Sequence, residues 1–375
     1  MDIARRTFLA GSAAAAGLAA TLATRASAQS TPSPAALFGP PEGQALLSRN
    51  ENPYGPAPSA LQAIAEASSN GCYYADRGLA RLGEMIAERN GVSPSQVVVG
   101  AGSTEILSAI SLAWGAKGAI LCPGLFWDAT VRYGERQGVD VIRVPLDSEM
   151  QVDIAGIEAA FGENVSLVQI CNPNNPTGML VDGAALRRLA AQVTPTATLL
   201  VDEAYNELTD DPEGNSVLEL VKAGQDVIVC RTFSKIYGMA GMRVGYAITS
   251  EENAALIRSH QMSFGGNVAG LAGAIASYND TGFLAFSKER VTEGREMIYD
   301  AIARSGLTAL PSQTNFVYVV VEDADAVQAA MANRGVMIRG AYGPWTQFSR
   351  VSCGRLEDVA RYAAALPEVI GEVQG

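Results

Sequence analysis

Short apolar runs alternate with amphipathic stretches over residues 96–250 of this 375-residue chain. The runs are rich in β-branched side chains, and helical spacing, as in TEILSAISLAW and ALRRLAAQV, separates them. Because a strand buried on both faces reads as a continuous apolar run, the pattern predicts a mainly parallel sheet covered by helices. The predicted strands are QVVVG, GAILCP, VDVIRVPL, SLVQICNP, ATLLVDEAY, DVIVCRTFSK and RVGYAIT.

The pattern changes after residue 280. A long polar helix over 281–306 is followed by the strand NFVYVVV, a helix near 325–334, the strand FSRVSCG and a last amphipathic helix. This order predicts a smaller α+β domain at the C-terminus. The predicted organisation is a signal peptide at 1–28, a Pro/Gly/Ser-rich extended segment at 29–60, a large domain at 61–280 and a small domain at 281–375.

The first 28 residues have the order of an export signal. RRTFL at residues 5–9 precedes an Ala/Leu/Gly stretch over about 8–24 and a small-residue cleavage site, ASA, at 26–28. The paired arginines resemble a twin-arginine signal, which predicts a periplasmic or exported protein. The alternative is a cytoplasmic protein with an Ala-rich N-terminal helix. The stretch is too short and too rich in small residues to predict a stable membrane span.

Charge and residue usage exclude several classes of function. The formal net charge is −12 with no cluster of basic residues, which argues against a nucleic-acid partner. The chain has one histidine, and its five cysteines are dispersed without a C-x-x-C motif. We therefore expect no metal site and no disulfide framework.

Reactive side chains follow four of the predicted strands, where ligands bind in parallel sheets. Ser103 and Thr104 in GAGSTE open a helix, whose N–H groups suit a phosphate. Asn175 lies in the rigid loop NPNNPTG, and Asp202 ends an apolar strand. Lys235 also follows a strand, where burial lowers the pKa of an amine and makes it nucleophilic. A phosphate cradle, an amide, a buried anion and an amine are what a pyridoxal phosphate site requires.

Seven motifs in fixed order carry a resemblance to a known family. From residue 50 onward the chain contains NENPYGP, GAGSTE, NPNNPTG, VDEAYNEL, TFSKIYGMAGMRVG, PSQTNFV and RVSCG. This series resembles the class I/II aminotransferases, and among them the histidinol-phosphate aminotransferases. The resemblance implies an α/β fold-type-I pyridoxal-phosphate-dependent transferase. In that fold a large domain carries a mainly parallel mixed sheet, a smaller α+β domain follows it, and two copies form a homodimer.

The resemblance also implies roles for individual residues. Lys235 is similar to the lysine that holds the cofactor as an aldimine and moves the substrate proton. Asp202 resembles the partner of the pyridine nitrogen, and Asn175 and Tyr205 resemble the donors to the cofactor's phenolic oxygen. Tyr74 resembles the tyrosine that reaches the neighbouring subunit's phosphate site. The implied phosphate ligands are Ser103, Thr104, Thr232, Ser234 and Arg243.

For the substrate, Arg350 resembles the arginine that binds the α-carboxylate. Asn52 lies close to that site in relatives, and Arg339 adds a second positive group. An aromatic ring stacks on the cofactor in the family. Trp127 or Phe126 fills that place here, and Trp127 is preferred.

These observations predict an aminotransferase that moves an amino group between a small-molecule amino donor and a 2-oxo acid. Histidinol phosphate is one candidate donor. The upstream stretch LFGPPEGQ lacks the tyrosine common in histidinol-phosphate enzymes, so an aromatic or other amino acid is an equal alternative. A lyase or decarboxylase on the same scaffold is the second class of function. A ligand sensor and a nicotinamide dehydrogenase are disfavoured, since no DNA-binding domain and no ribose-binding acid are evident.

Overall fold

A computed structural model describes residues 37–374 of the chain. The predicted signal peptide and the first residues of the predicted extended segment lie outside the described residues. The rest of that segment contains strand β1, Ala45–Leu46, and it ends earlier than predicted because helix α1 begins at Pro58.

All seven predicted strands of the large domain form one sheet. Its order is β2-β8-β7-β6-β5-β3-β4. The five strands from β7 to β4 run parallel, and β8 is antiparallel to both of its neighbours. The prediction of an α/β fold with a mainly parallel mixed sheet is therefore confirmed. The bounds are β2 Val97–Gly100, β3 Ala119–Pro123, β4 Val141–Val144, β5 Val165–Cys171, β6 Thr198–Asp202, β7 Val227–Thr232 and β8 Gly245–Ile248.

Apolar side chains leave both faces of this sheet. On β6, Leu200 enters one apolar cluster, whereas Leu199 and Val201 enter the other, and all three are fully buried. Because side chains alternate along a strand, this division shows that both faces are covered. Burial on both faces explains why the sequences of these strands are mainly apolar and do not alternate between apolar and polar residues.

Helices fill the connections, and several begin at an acidic cap. Asp182 Oδ1 accepts from Ala185 N over 2.8 Å, and Asp280 Oδ1 accepts from Phe283 N over 3.0 Å. Their bounds are α1 Pro58–Ala67, α2 Asp76–Asn90, α3 Ser103–Gly115, α4 Ala129–Arg136, α5 Ile154–Ala160, α6 Gly183–Val193, α7 Leu218–Lys222, α8 Glu251–His260, α9 Val268–Ser277, α10 Thr281–Arg304, α11 Ala324–Asn333 and α12 Leu356–Gln374. Within residues 37–374, the helices are too short or too polar to cross a membrane.

The C-terminal part contains two small sheets. β9, Phe316–Val320, pairs antiparallel with β11, Phe348–Ser352. β1 pairs parallel with β10, Val336–Met337. Residues 42–375 cluster as one unit, so the predicted boundary between a large domain and a small domain at 281 stays a prediction.

Candidate active site

A cavity of about 410 Å³ opens where the parallel strands end. Strand ends and the two loops that follow β5 and β7 contribute most of its lining, as the topology predicts. Twelve residues predicted for the site line it: Ser103, Thr104, Trp127, Asn175, Asp202, Tyr205, Thr232, Ser234, Lys235, Arg243, Arg339 and Arg350.

Lys235 follows β7 and points its amine into the cavity. Its Nζ donates to the backbone oxygen of Asn50 over 3.2 Å and lies 5.4 Å from the ring centroid of Tyr205. Burial lowers the pKa of the Lys235 amine to about 8, and the positive charge of Arg350 acts in the same direction. The amine is therefore partly neutral, and nucleophilic, near neutral pH.

Asp202 ends β6 with its side chain 4% exposed. Burial raises the pKa of its carboxyl to about 7, while the N–H of Ala204 and the charge of Lys235 oppose this shift. The only hydrogen bond to the carboxylate is from Ala204 N, over 3.2 Å, among residues 37–374. A buried carboxylate with so few partners fits a ligand that brings a protonated nitrogen.

One corner of the cavity is built for an anion. Gly102, in the left-handed region with φ +76°, precedes helix α3, and a Cβ there would overlap the guanidinium of Arg243. A Cβ on Gly245 would overlap the backbone nitrogen of Ser103. Arg243 Nη1 lies 3.4 Å from Ser234 Oγ. The two glycines thus place a guanidinium, a hydroxyl and a helix N-terminus around one space, which suits a phosphate.

Arg350, Asn175 and Tyr205 form a hydrogen-bonded chain on the opposite side. Arg350 Nη1 donates to Asn175 Oδ1 over 2.7 Å, and Asn175 Nδ2 donates to the Tyr205 hydroxyl over 3.3 Å. Arg350 Nη2 donates to the backbone oxygen of Ser48 over 2.8 Å, but its buried Nε has no partner among the described residues. A free, buried N–H of a guanidinium fits an anionic ligand.

Two predicted residues lie outside the cavity. Asn52 Nδ2 donates to the Ile236 backbone oxygen over 2.8 Å and to Ser287 Oγ over 3.0 Å, so its side chain holds the segment after Lys235. Tyr74 is 73% exposed and stacks on Phe264 with centroids 4.4 Å apart. Of the two candidate aromatics, Trp127 lines the cavity, whereas Phe126 is buried in the core.

The sequence analysis missed Asn50 and Tyr342, which both line the cavity. Asn50 is the first residue of NENPYGP, so the motif pointed to this segment but not to the correct asparagine. No sequence signal marked Tyr342. No group of three or more His, Cys, Asp or Glu side chains that could hold a metal ion occurs among residues 37–374.

Residues 42–366 match the family of class I and II aminotransferases. The chain is 34% identical to the histidinol-phosphate aminotransferase of Brevibacillus brevis over 86% of this chain and 90% of that protein. It is 35% identical to histidinol-phosphate aminotransferase 1 of Dechloromonas aromatica over 88% and 91%. Among solved structures, the Sinorhizobium meliloti histidinol-phosphate aminotransferase in complex with pyridoxal-5'-phosphate aligns with a TM-score of 0.81 and 31% identity, covering 88% of this chain and 92% of that one.

The raised pKa of Asp202 predicts how the stability of the ligand-free protein depends on pH. Since the pKa of an ordinary aspartate is about 3.9, the stabilisation of the protonated form is complete below that pH and is lost as pH rises through about 7. Asp202→Asn has no proton to lose. We therefore expect the free energy of unfolding of the variant to rise relative to that of the wild type by a few kcal/mol between pH 4 and pH 8. The difference should grow by about 1.4 kcal/mol for each pH unit between the two pKa values.

Urea unfolding of both ligand-free proteins at pH 4 and pH 8 measures this difference. Asp140→Asn, which removes an exposed carboxylate, is the matched control. A free-energy difference between Asp202→Asn and wild type that does not change with pH would contradict the assignment of a proton-binding, buried carboxylate.

Proposed function

The chain belongs to the class I and II aminotransferases, and from this premise we propose that its 2-oxo acid acceptor carries two anionic groups, one bound by Arg350 and one by Arg339. The activity is pyridoxal-phosphate-dependent transamination between an amino donor and a 2-oxo acid. What remains to be assigned is the class of donor and acceptor, together with the assembly and the location of the enzyme.

The cavity residues fit the cofactor group by group. We assign the Lys235 amine to the cofactor aldehyde and Asp202 to the ring nitrogen. Tyr205 and Asn175 are assigned to the phenolic oxygen, and the anion corner around Arg243 to the phosphate. The bound cofactor supplies an electron sink for the negative charge left at the substrate α-carbon. The support is the match between the chemistry of each group in the cavity and a complementary atom of that molecule.

Lys235 also moves the substrate proton. Its lowered pKa of about 8 leaves a substantial neutral fraction at physiological pH, so its Nζ is able to accept a proton from the α-carbon and return it. Trp127 lines the wall of the same cavity.

Two guanidinium groups share one side of the cavity. Arg339 and Arg350 are directly opposite in an antiparallel bridge, with backbone N–H···O distances of 2.9 and 3.0 Å. Opposite residues in such a pair point to the same face. Their Cζ atoms lie 5.0 and 5.3 Å from the ring centroid of Tyr342. This juxtaposition is the observation that carries the proposal, because a single α-carboxylate requires only one of the two.

2-Oxoglutarate and its product glutamate meet this description with two carboxylates. Relatives named histidinol-phosphate aminotransferases indicate a phosphate-bearing donor. Histidinol phosphate has no carboxylate, so its phosphate is the one anion that it presents to the two guanidinium groups. A guanidinium binds both groups with paired N–H donors. Substrates with one carboxylate and an apolar side chain leave Arg339 without a partner.

Arg339→Gln tests the second anion site. We expect the variant to lose roughly tenfold or more in kcat/KM for 2-oxoglutarate, because a hydrogen bond to a charged group contributes about 1.5–3 kcal/mol. The value for pyruvate, which has one carboxylate, should change little. Steady-state kinetics with both acceptors and one common donor gives the ratio. Arg355→Gln, at an exposed arginine outside the cavity lining, is the control. An equal loss for both acceptors would argue against this site.

We also infer a homodimer. Four large side chains are exposed on two neighbouring segments: Tyr73 at 72%, Tyr74 at 73%, Met262 at 76% and Phe264 at 65%. Stacking of Tyr74 on Phe264 joins the segments into one apolar patch. Such a patch marks an interface, and the family resemblance assigns the Tyr74 hydroxyl to the partner's phosphate site.

Two variants separate assembly from cofactor binding. Phe264→Asp places a charge in the patch, so light scattering should show a monomer with weakened pyridoxal phosphate binding. Tyr74→Phe removes only the hydroxyl, so the dimer should persist while the cofactor Kd rises roughly tenfold. A wild-type monomer would overturn the inference of a homodimer, and an unchanged Kd in Tyr74→Phe would overturn the assignment of the Tyr74 hydroxyl to the partner's phosphate site.

We further propose that the enzyme is exported in its folded state. The support is the order of paired arginines, apolar stretch and ASA cleavage site in residues 5–28. In a bacterial host, replacement of Arg5 and Arg6 by lysine should move the enzyme from the periplasmic fraction to the cytoplasm. Recovery of the wild type only in the cytoplasm, uncleaved, would refute export.

A further inference from the structure

The hydroxyl oxygen of Tyr205 accepts hydrogen bonds from two asparagine amides. Asn50 Nδ2 donates over 3.1 Å and Asn175 Nδ2 over 3.3 Å. All three side chains are buried. With both acceptor positions of the oxygen in use, the O–H is the only hydrogen-bonding capacity that Tyr205 retains. Its proton must therefore point away from both amides.

Each asparagine oxygen has its own donor. Arg350 Nη1, which can only donate, holds Asn175 Oδ1 and thereby fixes the orientation of that amide. The backbone N–H of Asn50 donates to Ser352 Oγ over 2.9 Å, and the Ser352 hydroxyl donates in turn to Asn50 Oδ1 over 2.8 Å, which assigns the orientation of the Asn50 amide. In this network the NH₂ group of each asparagine faces Tyr205.

One strand fixes both amides. Arg350 and Ser352 are two residues apart on β11, so their side chains leave the same face of that strand. Arg350 orients Asn175, and Ser352 orients Asn50. The strand that carries the proposed substrate-binding arginine thus also determines the direction of the Tyr205 proton.

The backbone of Asn50 supports the same arrangement. Its φ of 59° lies in the left-handed region, which asparagine tolerates better than most residues. This conformation turns its carbonyl oxygen toward Lys235 Nζ at 3.2 Å and toward Asn315 Nδ2 at 2.9 Å. Asn50 therefore contacts Tyr205 through its side chain and the reactive amine through its main chain.

We propose that Asn50 is a positioning residue that, together with Asn175, makes the Tyr205 hydroxyl a one-directional donor toward the cofactor's phenolic oxygen. The inference rests on the assignment of Tyr205 to that oxygen. An N–H donated to a hydroxyl polarises it and strengthens the hydrogen bond that it donates. The side-chain amide of Asn50 thus acts on the cofactor through Tyr205, whereas the contact of Asn50 with the Lys235 amine is made by its main chain, which Asn50→Gly retains.

The pH midpoint of the visible absorbance of the enzyme-bound cofactor tests the proposal. The deprotonated form carries more negative charge on the phenolic oxygen, so a strong donor from Tyr205 lowers the midpoint. Asn50→Gly removes the amide and retains the left-handed backbone. Asn50→Asp replaces the N–H donor by an acceptor that competes for the Tyr205 proton. We expect the midpoint to rise by about half a pH unit in Asn50→Gly and by more in Asn50→Asp.

Tyr205→Phe and the double variant Asn50→Gly/Tyr205→Phe complete the cycle. We expect Tyr205→Phe to raise the midpoint and the second substitution to add nothing, because Asn50 acts through the hydroxyl. The inference is overturned if Asn50→Gly leaves the midpoint unchanged while Tyr205→Phe raises it. It is also overturned if Asn50→Gly shifts the midpoint by the same amount in the Tyr205→Phe protein as in the wild type. No shift in Tyr205→Phe itself would instead remove the assignment of Tyr205. If Asn50→Asp does not fold, Asn50→Gly decides alone.

Discussion

This site depends on the burial of one carboxylate and one amine at the carboxyl ends of two central strands of an apolar sheet. Asp202 ends a fully buried strand, and Lys235 follows the neighbouring one. Burial raises the pKa of the acid to about 7 and lowers that of the amine to about 8. Near neutral pH the amine is therefore partly neutral and able to attack a carbonyl, while the acid exchanges its proton readily and, as the carboxylate, pairs with a cationic nitrogen. The same burial that destabilises the ligand-free protein makes it complementary to the cofactor.

The sheet and the residues that follow its strands could be predicted from the sequence because both depend on local patterns. Short runs of mainly apolar, β-branched residues identify strands covered on two faces, and ligands bind where such strands end. Asp202 and Lys235 could be identified in this way, since each follows its own strand. The periodicity of apolar residues also predicted the long helix Thr281–Arg304 and the strands β9 and β11 after it.

What could not be predicted depends on backbone direction and on partners distant in sequence. In NENPYGP, the left-handed conformation of Asn50 turns that residue toward the cavity, whereas Asn52 is bound to Ile236 and Ser287 behind it. A sequence motif does not specify that dihedral angle, so the sequence predicted Asn52, and not Asn50, as the asparagine near the site. Tyr342 lines the cavity beside the guanidinium groups of Arg339 and Arg350, and no local pattern specifies the bridge that pairs those two arginines. Tyr74 presents a different problem, since its assigned partner belongs to another copy of the chain.

The short strand β11 carries two side chains, Arg350 and Ser352, that organise this site. Arg350 lines the cavity, and its Nη1 donates to Asn175, while Ser352 donates to Asn50 from the same face. Both asparagines meet at Tyr205, which lies beside the Lys235 amine. A displacement of this strand would therefore move the Arg350 guanidinium and both asparagine amides at once. In the proposed assignment, substrate binding and the cofactor site share this one strand, so a change of substrate preference at β11 has to preserve the two hydrogen bonds that orient the asparagines.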